Sequence, residues 1–161
     1  MTLKSLLAAV SFALISPALA SANDGTYKVT SPDGHLYATV AVGTDISYFV
    51  AKDTLQLISP SRISMSISDG TVFGQNDKVR KVRRACVDKV WDAHLYKKSE
   101  VRDNYNEMTL EFKNFSIVFR AYDDGVAYRF VSGLKGDFNV MSEKAEFSFA
   151  KDWNAYVPYV K

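Results

Sequence analysis

From residue 26 onward the chain alternates apolar and polar residues in short runs, each closed by Gly, Pro, Asn or Asp. TYKVTS ends at Pro32-Asp33-Gly34, HLYATVAV ends at Gly43, and ISYFVAK ends near Asp53. LQLIS leads to Pro60, and RISMSIS puts Ile63, Met65 and Ile67 on one face before Asp69-Gly70. EMTLEFKN, SIVFRAY, GVAYRFVS, FNVMS and AEFSFA continue the pattern. A period of two is the signature of strands with one buried face. No run of ten residues carries a helical period. Many short strands between turn residues predict an all-β, antiparallel sandwich or barrel.

Residues 1–20, MTLKSLLAAVSFALISPALA, stand apart. Lys4 precedes an apolar stretch from Leu6 to Ile15, too short to span a bilayer. Ala18-Leu19-Ala20 has the small-x-small form cleaved by signal peptidase. The expectation is an exported protein, periplasmic or secreted, cut near Ala20–Ser21, with no membrane association after cleavage. Residues 21–161 then form one domain. Nine Tyr, ten Phe and two Trp give it ample core material.

Charge excludes some functions. Twenty basic residues nearly balance eighteen acidic ones, which argues against nucleic acid as a partner. The basic run Lys78–Arg84 lacks interleaved aromatics and reads as a solvated strand face. Cys86 is the only cysteine. It sits in a strand-like run with Ala85 and Val87 and is expected to be buried. His35 and His94 lie in no recognisable motif. One cysteine and two distant histidines supply neither a zinc site nor a nucleophilic triad.

The stretch SIVFRAYDDGVAYRFV (116–131) reads as a hairpin with an arginine in each arm. A two-residue turn at Asp124-Gly125 would set Arg120 against Arg129, which is unfavourable. A three-residue loop, Asp123-Asp124-Gly125, avoids this. It predicts Gly125 in the left-handed region, Tyr122 facing Val126, Arg120 facing Tyr128, and Arg129 on the other face beside Phe119.

Residues 91–106 (WDAHLYKKSEVRDNYN) read as a long polar connection, and 70–84 as a loop entering a strand. Asp88, Asp92, Glu100, Asp103 and Glu107 cluster around Trp91, Tyr96 and Tyr105. Rings with carboxylates and amides suit sugars, which stack on one and hydrogen-bond to the other. Trp91, Asn106 and Glu107 are therefore candidate carbohydrate-binding residues. The alternative is a plain polar loop over a sandwich edge.

FRAYDDGVAYRF (119–130) resembles a stretch in the N-terminal domain of family 97 glycoside hydrolases. SPDGHLYATVAV (31–42), LQLISPSRISMSISDG (55–70), VRDNYNEMTLEF (101–112) and AEFSFAKDWNAYVPYV (145–160) resemble further segments of that domain, in order. The resemblance implies a mutarotase-like β-sandwich. It also implies a parent enzyme acting on α-glucosides or α-galactosides, with catalytic carboxylates on a later (β/α)8 barrel. The family's calcium is held largely by carboxylates beyond the matched region, so no catalytic, metal or cofactor residue is expected here. Two departures accompany it: Lys97-Lys98 replace an expected glycine, and Lys161 falls before the family's N-terminal domain would be complete. The expectation is thus an incomplete sandwich that is not hydrolytic alone. An independent carbohydrate-binding module, or a structural domain recruiting a partner through an unpaired sheet edge, are the alternatives.

Overall fold

The computed structural model describes residues 25–94 and 97–154. The expected leader, its cleavage point and the end of the 145–160 segment lie outside them. Ten strands follow one another: β1 (Gly25–Thr30), β2 (Leu36–Val42), β3 (Ile46–Lys52), β4 (Leu55–Ile67), β5 (Val72–Phe73), β6 (Lys81–Asp92), β7 (Glu100–Glu111), β8 (Phe115–Ala121), β9 (Val126–Ser132) and β10 (Val140–Ala145). They form two antiparallel sheets. One runs β1-β2-β3-β4-β10 with β5 beside β4, and the other β6-β7-β8-β9.

The alternation explains the core between them. Ala38, Val40, Val42, Ile46, Tyr48, Ile63 and Ile67 line one sheet, and Met108, Leu110, Ile117 and Phe119 the other; all are buried. The turn at Ser31–Gly34 closes with a hydrogen bond from the Gly34 N–H to the Ser31 carbonyl, and Gly34 takes φ +83°. That left-handed value is why glycine stands there.

Several expectations need correction. LQLIS and RISMSIS are one strand, β4, with Pro60 inside it. The β3–β4 register shifts between Tyr48 and Val50, opposite that stretch. A proline needs such an irregularity because it cannot donate to the ladder.

The 116–131 hairpin has a two-residue loop, Asp123-Asp124, closed by the Tyr122 N–H on the Gly125 carbonyl at 2.8 Å. Arg120 lies opposite Ala127, and Val118 opposite Arg129. Gly125 is not among the glycines with positive φ. In this register Phe119 and Tyr128 face each other over the core, and both arginines fall on the outer face. The three-residue loop would have turned one arginine inward, and a one-residue slip exchanges faces. Burial of the aromatic side chains decides the register. The Asp123 carboxylate also accepts the Asp33 N–H at 3.0 Å, tying the loop to the first turn.

Residues 91–106 are not a long connection. β6 and β7 pair from Lys81–Glu111 to Asp92–Glu100, so only residues 93–99 link them. Cys86 is exposed, not buried. It sits on an edge strand opposite Asn106, where β1 packs mainly over β7 and β8.

Candidate functional site

The middle of β7 carries two of the three candidate residues, and the pleat sends them to opposite faces. Asn106 points inward, where its Nδ2 donates to the Thr30 carbonyl on β1 at 2.8 Å. Arg84, on the same side, donates to the Lys28 carbonyl at 2.6 Å. These two side chains join the sheets where the apolar core ends.

Glu107 points outward. Its carboxylate accepts from Arg120 Nε at 2.8 Å. The Arg120 guanidinium lies 4.2 Å from the centre of the Tyr105 ring, and Tyr105 packs on Tyr122 with centroids 5.1 Å apart. Burial raises the Tyr105 phenol above its ordinary value. Burial works against the charge on Arg120, but the hydrogen bonds it donates to Glu107 and Tyr122 outweigh it and hold the group firmly protonated. The answer to how an arginine sits in this hairpin is thus local: a carboxylate pairs it and a ring covers it. Glu107 in turn holds Arg120 in place through one carboxylate oxygen.

Trp91 stands at the far end of the β6–β7 ribbon, 55% exposed and opposite Val101. It shares the outer face with Glu107, but six strand positions separate their levels, roughly 20 Å at about 3.3 Å per residue. The structure therefore does not gather Trp91, Asn106 and Glu107 into one site. Of the three, only Trp91 presents a free surface. Near it, Arg102 clasps Asp88 through two 2.7 Å bonds, and Arg102 lowers the Asp88 carboxyl below its usual range.

Among the described residues no three His, Cys, Asp or Glu side chains converge.

A second surface was missed by the sequence reading. A groove of about 340 Å³ opens between the sheets, lined by Tyr48, Leu57, Val126, Tyr128, Phe149 and Trp153 among others. Burial, and secondarily the neighbouring Tyr128, push the Tyr48 phenol up to about 12. Its hydroxyl donates to the Glu146 carbonyl at 3.0 Å. The available signal was the aromatic alternation Phe147–Phe149 followed by Trp153, which the strand pattern absorbed.

The family model described as "Glycosyl-hydrolase 97 N-terminal" matches residues 29–161. The chain belongs to this family. A retaining alpha-galactosidase of Bacteroides thetaiotaomicron is 41% identical over 136 residues, 84% of this chain and 20% of that protein. A family 97 glycoside hydrolase from Pseudoalteromonas sp. strain K8, solved with acarbose, superposes with TM-score 0.69 at 24% identity. It covers 77% of this chain and 20% of its own. A beta-arabinopyranosidase structure gives TM-score 0.69 at 26% identity, covering 76% and 21%. This glycosyl-hydrolase 97 N-terminal chain thus spans about a fifth of the length of these relatives, and its two-sheet, all-strand architecture is theirs.

Proposed function

We propose that this chain is the accessory N-terminal sandwich of an exported family 97 glycosidase acting on α-linked galactosides or glucosides. In this reading it is not hydrolytic by itself, and the reacting carboxylates belong to a barrel elsewhere in the longer polypeptide. The observation that carries it is the family match over residues 29–161, set beside a retaining alpha-galactosidase of which that region is only a fifth. The pairing of Glu107 with Arg120 supports it, because that carboxylate already has a structural partner within the sheet.

The test is direct. The purified chain is incubated with nitrophenyl α-galactoside and α-glucoside, and no nitrophenol above the blank is expected. Sustained release that co-purifies with the chain overturns the reading. Export is checked by the mature N-terminus, expected near Ser21 in the periplasmic or culture fraction.

A carbohydrate-binding role is the second reading, and the exposed indole of Trp91 favours it. An exposed indole on a two-stranded ribbon is a surface on which a sugar ring stacks. Calorimetry with maltooligosaccharides and α-galactosides should show heat that Trp91→Ala abolishes. Absence of heat at millimolar sugar ends this second reading and leaves the first standing.

A further inference from the structure

Both arginines of the 116–131 hairpin stand on the outer face of the second sheet, and only one of them has a counterion. Val118 pairs with Arg129 and Arg120 with Ala127, so the two arginines are diagonal neighbours across β8 and β9. Residues so related lie about 7–8 Å apart, within reach of each other's long side chains. The other neighbours of Arg129 on that face are Ser116, Val118, Ala127 and Val131, none of them acidic. Arg129 is exposed and has no ion pair among the described residues. Two like charges this close with no anion between them are unfavourable.

Arg120 is held but not saturated. Its Nε donates to Glu107 at 2.8 Å, and one face of the guanidinium covers the Tyr105 ring at 4.2 Å. A further bond runs to the Tyr122 oxygen. A guanidinium has five N–H donors, so its Nη edge keeps several uncommitted. The Tyr122 hydroxyl, accepting from Arg120, still has its own proton to donate.

These groups surround a space. A pocket of about 130 Å³ opens on this face, lined by Val118, Arg120, Tyr122, Ala127 and Arg129 among others. Every charged side chain in that lining is a guanidinium, and Val118 and Ala127 supply its apolar part. Charge then selects the ligand. Two guanidinium groups and the Glu107 carboxylate leave one positive charge, which a single carboxylate balances. A doubly charged phosphate would overshoot. The planar fork of a guanidinium also matches the two oxygens of a carboxylate.

We propose that Arg120, Arg129 and the Tyr122 hydroxyl form a binding site for one carboxylate group. Two sources carry that group: a free sugar acid, or an aspartate or glutamate side chain of a longer polypeptide. The recognition chemistry is the same for both. The site goes beyond the reading of the preceding subsection and does not rest on it.

The test is a titration of the purified chain at low salt, followed through the side-chain Nε–H NMR signals of Arg120 and Arg129. The probes are galacturonate, galactose as its neutral counterpart, and acetyl-aspartyl-amide. Both arginine signals should move along a saturable curve with galacturonate, at a millimolar dissociation constant, and stay in place with galactose. Arg129→Gln changes an exposed position and should weaken binding at least tenfold, with the backbone signals of β7 and β8 unmoved. Arg129→Lys keeps the charge without the fork and should fall between. Trp91→Ala should leave the curve unchanged, which separates this site from stacking on the indole. Comparable affinity for the two carboxylates supports a site for the group wherever it is carried. A tenfold preference for galacturonate assigns it to sugar acids, and the reverse preference to a polypeptide side chain. Three results overturn the proposal: no saturable shift with either carboxylate at tens of millimolar; an equal response to galactose; or undiminished binding in Arg129→Gln. None of these readouts involves sugar hydrolysis, so failure here is separable from failure of the domain reading.

Discussion

Phe119 and Phe149 both belong to alternating apolar runs, yet one is fully buried and the other 62% exposed. Phe119 lies where β1–β3 face β7–β9, with a layer on each side. Phe149 makes only an isolated bridge, to Ile58 on β4, past the last strand of the opposite sheet. The difference teaches that a strand's apolar face stabilises only as far as a second layer covers it. Burial, and not residue type, divides this molecule into a closed side and an open one.

The sharpest way to break that contrast is to truncate both rings. Phe119→Ala should cost about 3–5 kcal/mol, as large aromatic deletions in packed cores do. Phe149→Ala should cost about 0.5 kcal/mol or less, as exposed substitutions do. Urea midpoints measure both. Equal losses would mean that the open side is covered in solution.

Backbone strain gives the next largest effect. Gly74 has φ +97°, and a Cβ there would stand 2.7 Å from the Ile63 carbonyl oxygen. Gly74→Ala should cost about 1–3 kcal/mol. Gly34, at φ +83°, would meet nothing within 4 Å, so its alanine variant should lose less. A reversed order would show that the β4–β5 corner yields easily.

The two hairpin arginines provide a third comparison. Glu107→Ala leaves the half-buried Arg120 guanidinium without its carboxylate and should cost about 1–2 kcal/mol. Arg129→Ala, with no ion pair to lose among the described residues, should stay within about 0.5 kcal/mol. A double-mutant cycle on Glu107 and Arg120 isolates the pair. A coupling near zero would assign Arg120's place to the Tyr105 ring alone.

These contrasts also mark what the sequence made legible. Strand identity, antiparallel arrangement and core positions such as Ile63 and Ile67 follow from alternation, because period two is a local property. The resemblance carried by FRAYDDGVAYRF named the family. Register was not local: whether Arg120 meets Tyr128 or Ala127 depends on how many residues the loop spends, and Asp-Asp-Gly admits more than one count. The exposure of Cys86 depends on β1 packing mainly over β7 and β8 while β6 stays an edge strand, a tertiary fact. Trp91, Asn106 and Glu107 were gathered by closeness in sequence, but a strand sends neighbours to opposite faces and carries residues apart quickly. The groove escaped because its residues look like ordinary core until the missing layer is seen.

The smallest effect separates the two sides by pH. Glu146 directly precedes Phe147 of the groove's wall, accepting the Arg62 backbone N–H at 2.9 Å and its guanidinium at 3.2 Å, with Lys144 3.0 Å away. The Arg62 backbone bond first, then its side chain and Lys144, depress the carboxyl from 4.5 to about 2. A depressed carboxylate contributes stability that is complete above its unfolded value and fades as pH falls through the folded one. His35 has the opposite sign. The Asp53 carboxylate, 2.7 Å away, raises its pKa above 6.5, so its contribution is complete below that value and fades as pH rises through the raised one. Both groups lie at the surface, and salt should weaken both. Acidification from 4.5 toward 2 should therefore lower the amide protection factors, taken against the intrinsic exchange rate at each pH, of Glu146 and Ala150, whose N–H groups bond to Arg62 and Leu57, before it touches β7 and β8. Glu146→Gln should remove that pH step while leaving the exchange of Met108 and Phe119 unchanged. Simultaneous loosening of both regions would mean that the open wall and the closed core unfold as one unit, and the division drawn from Phe119 and Phe149 would not extend to the molecule's fluctuations.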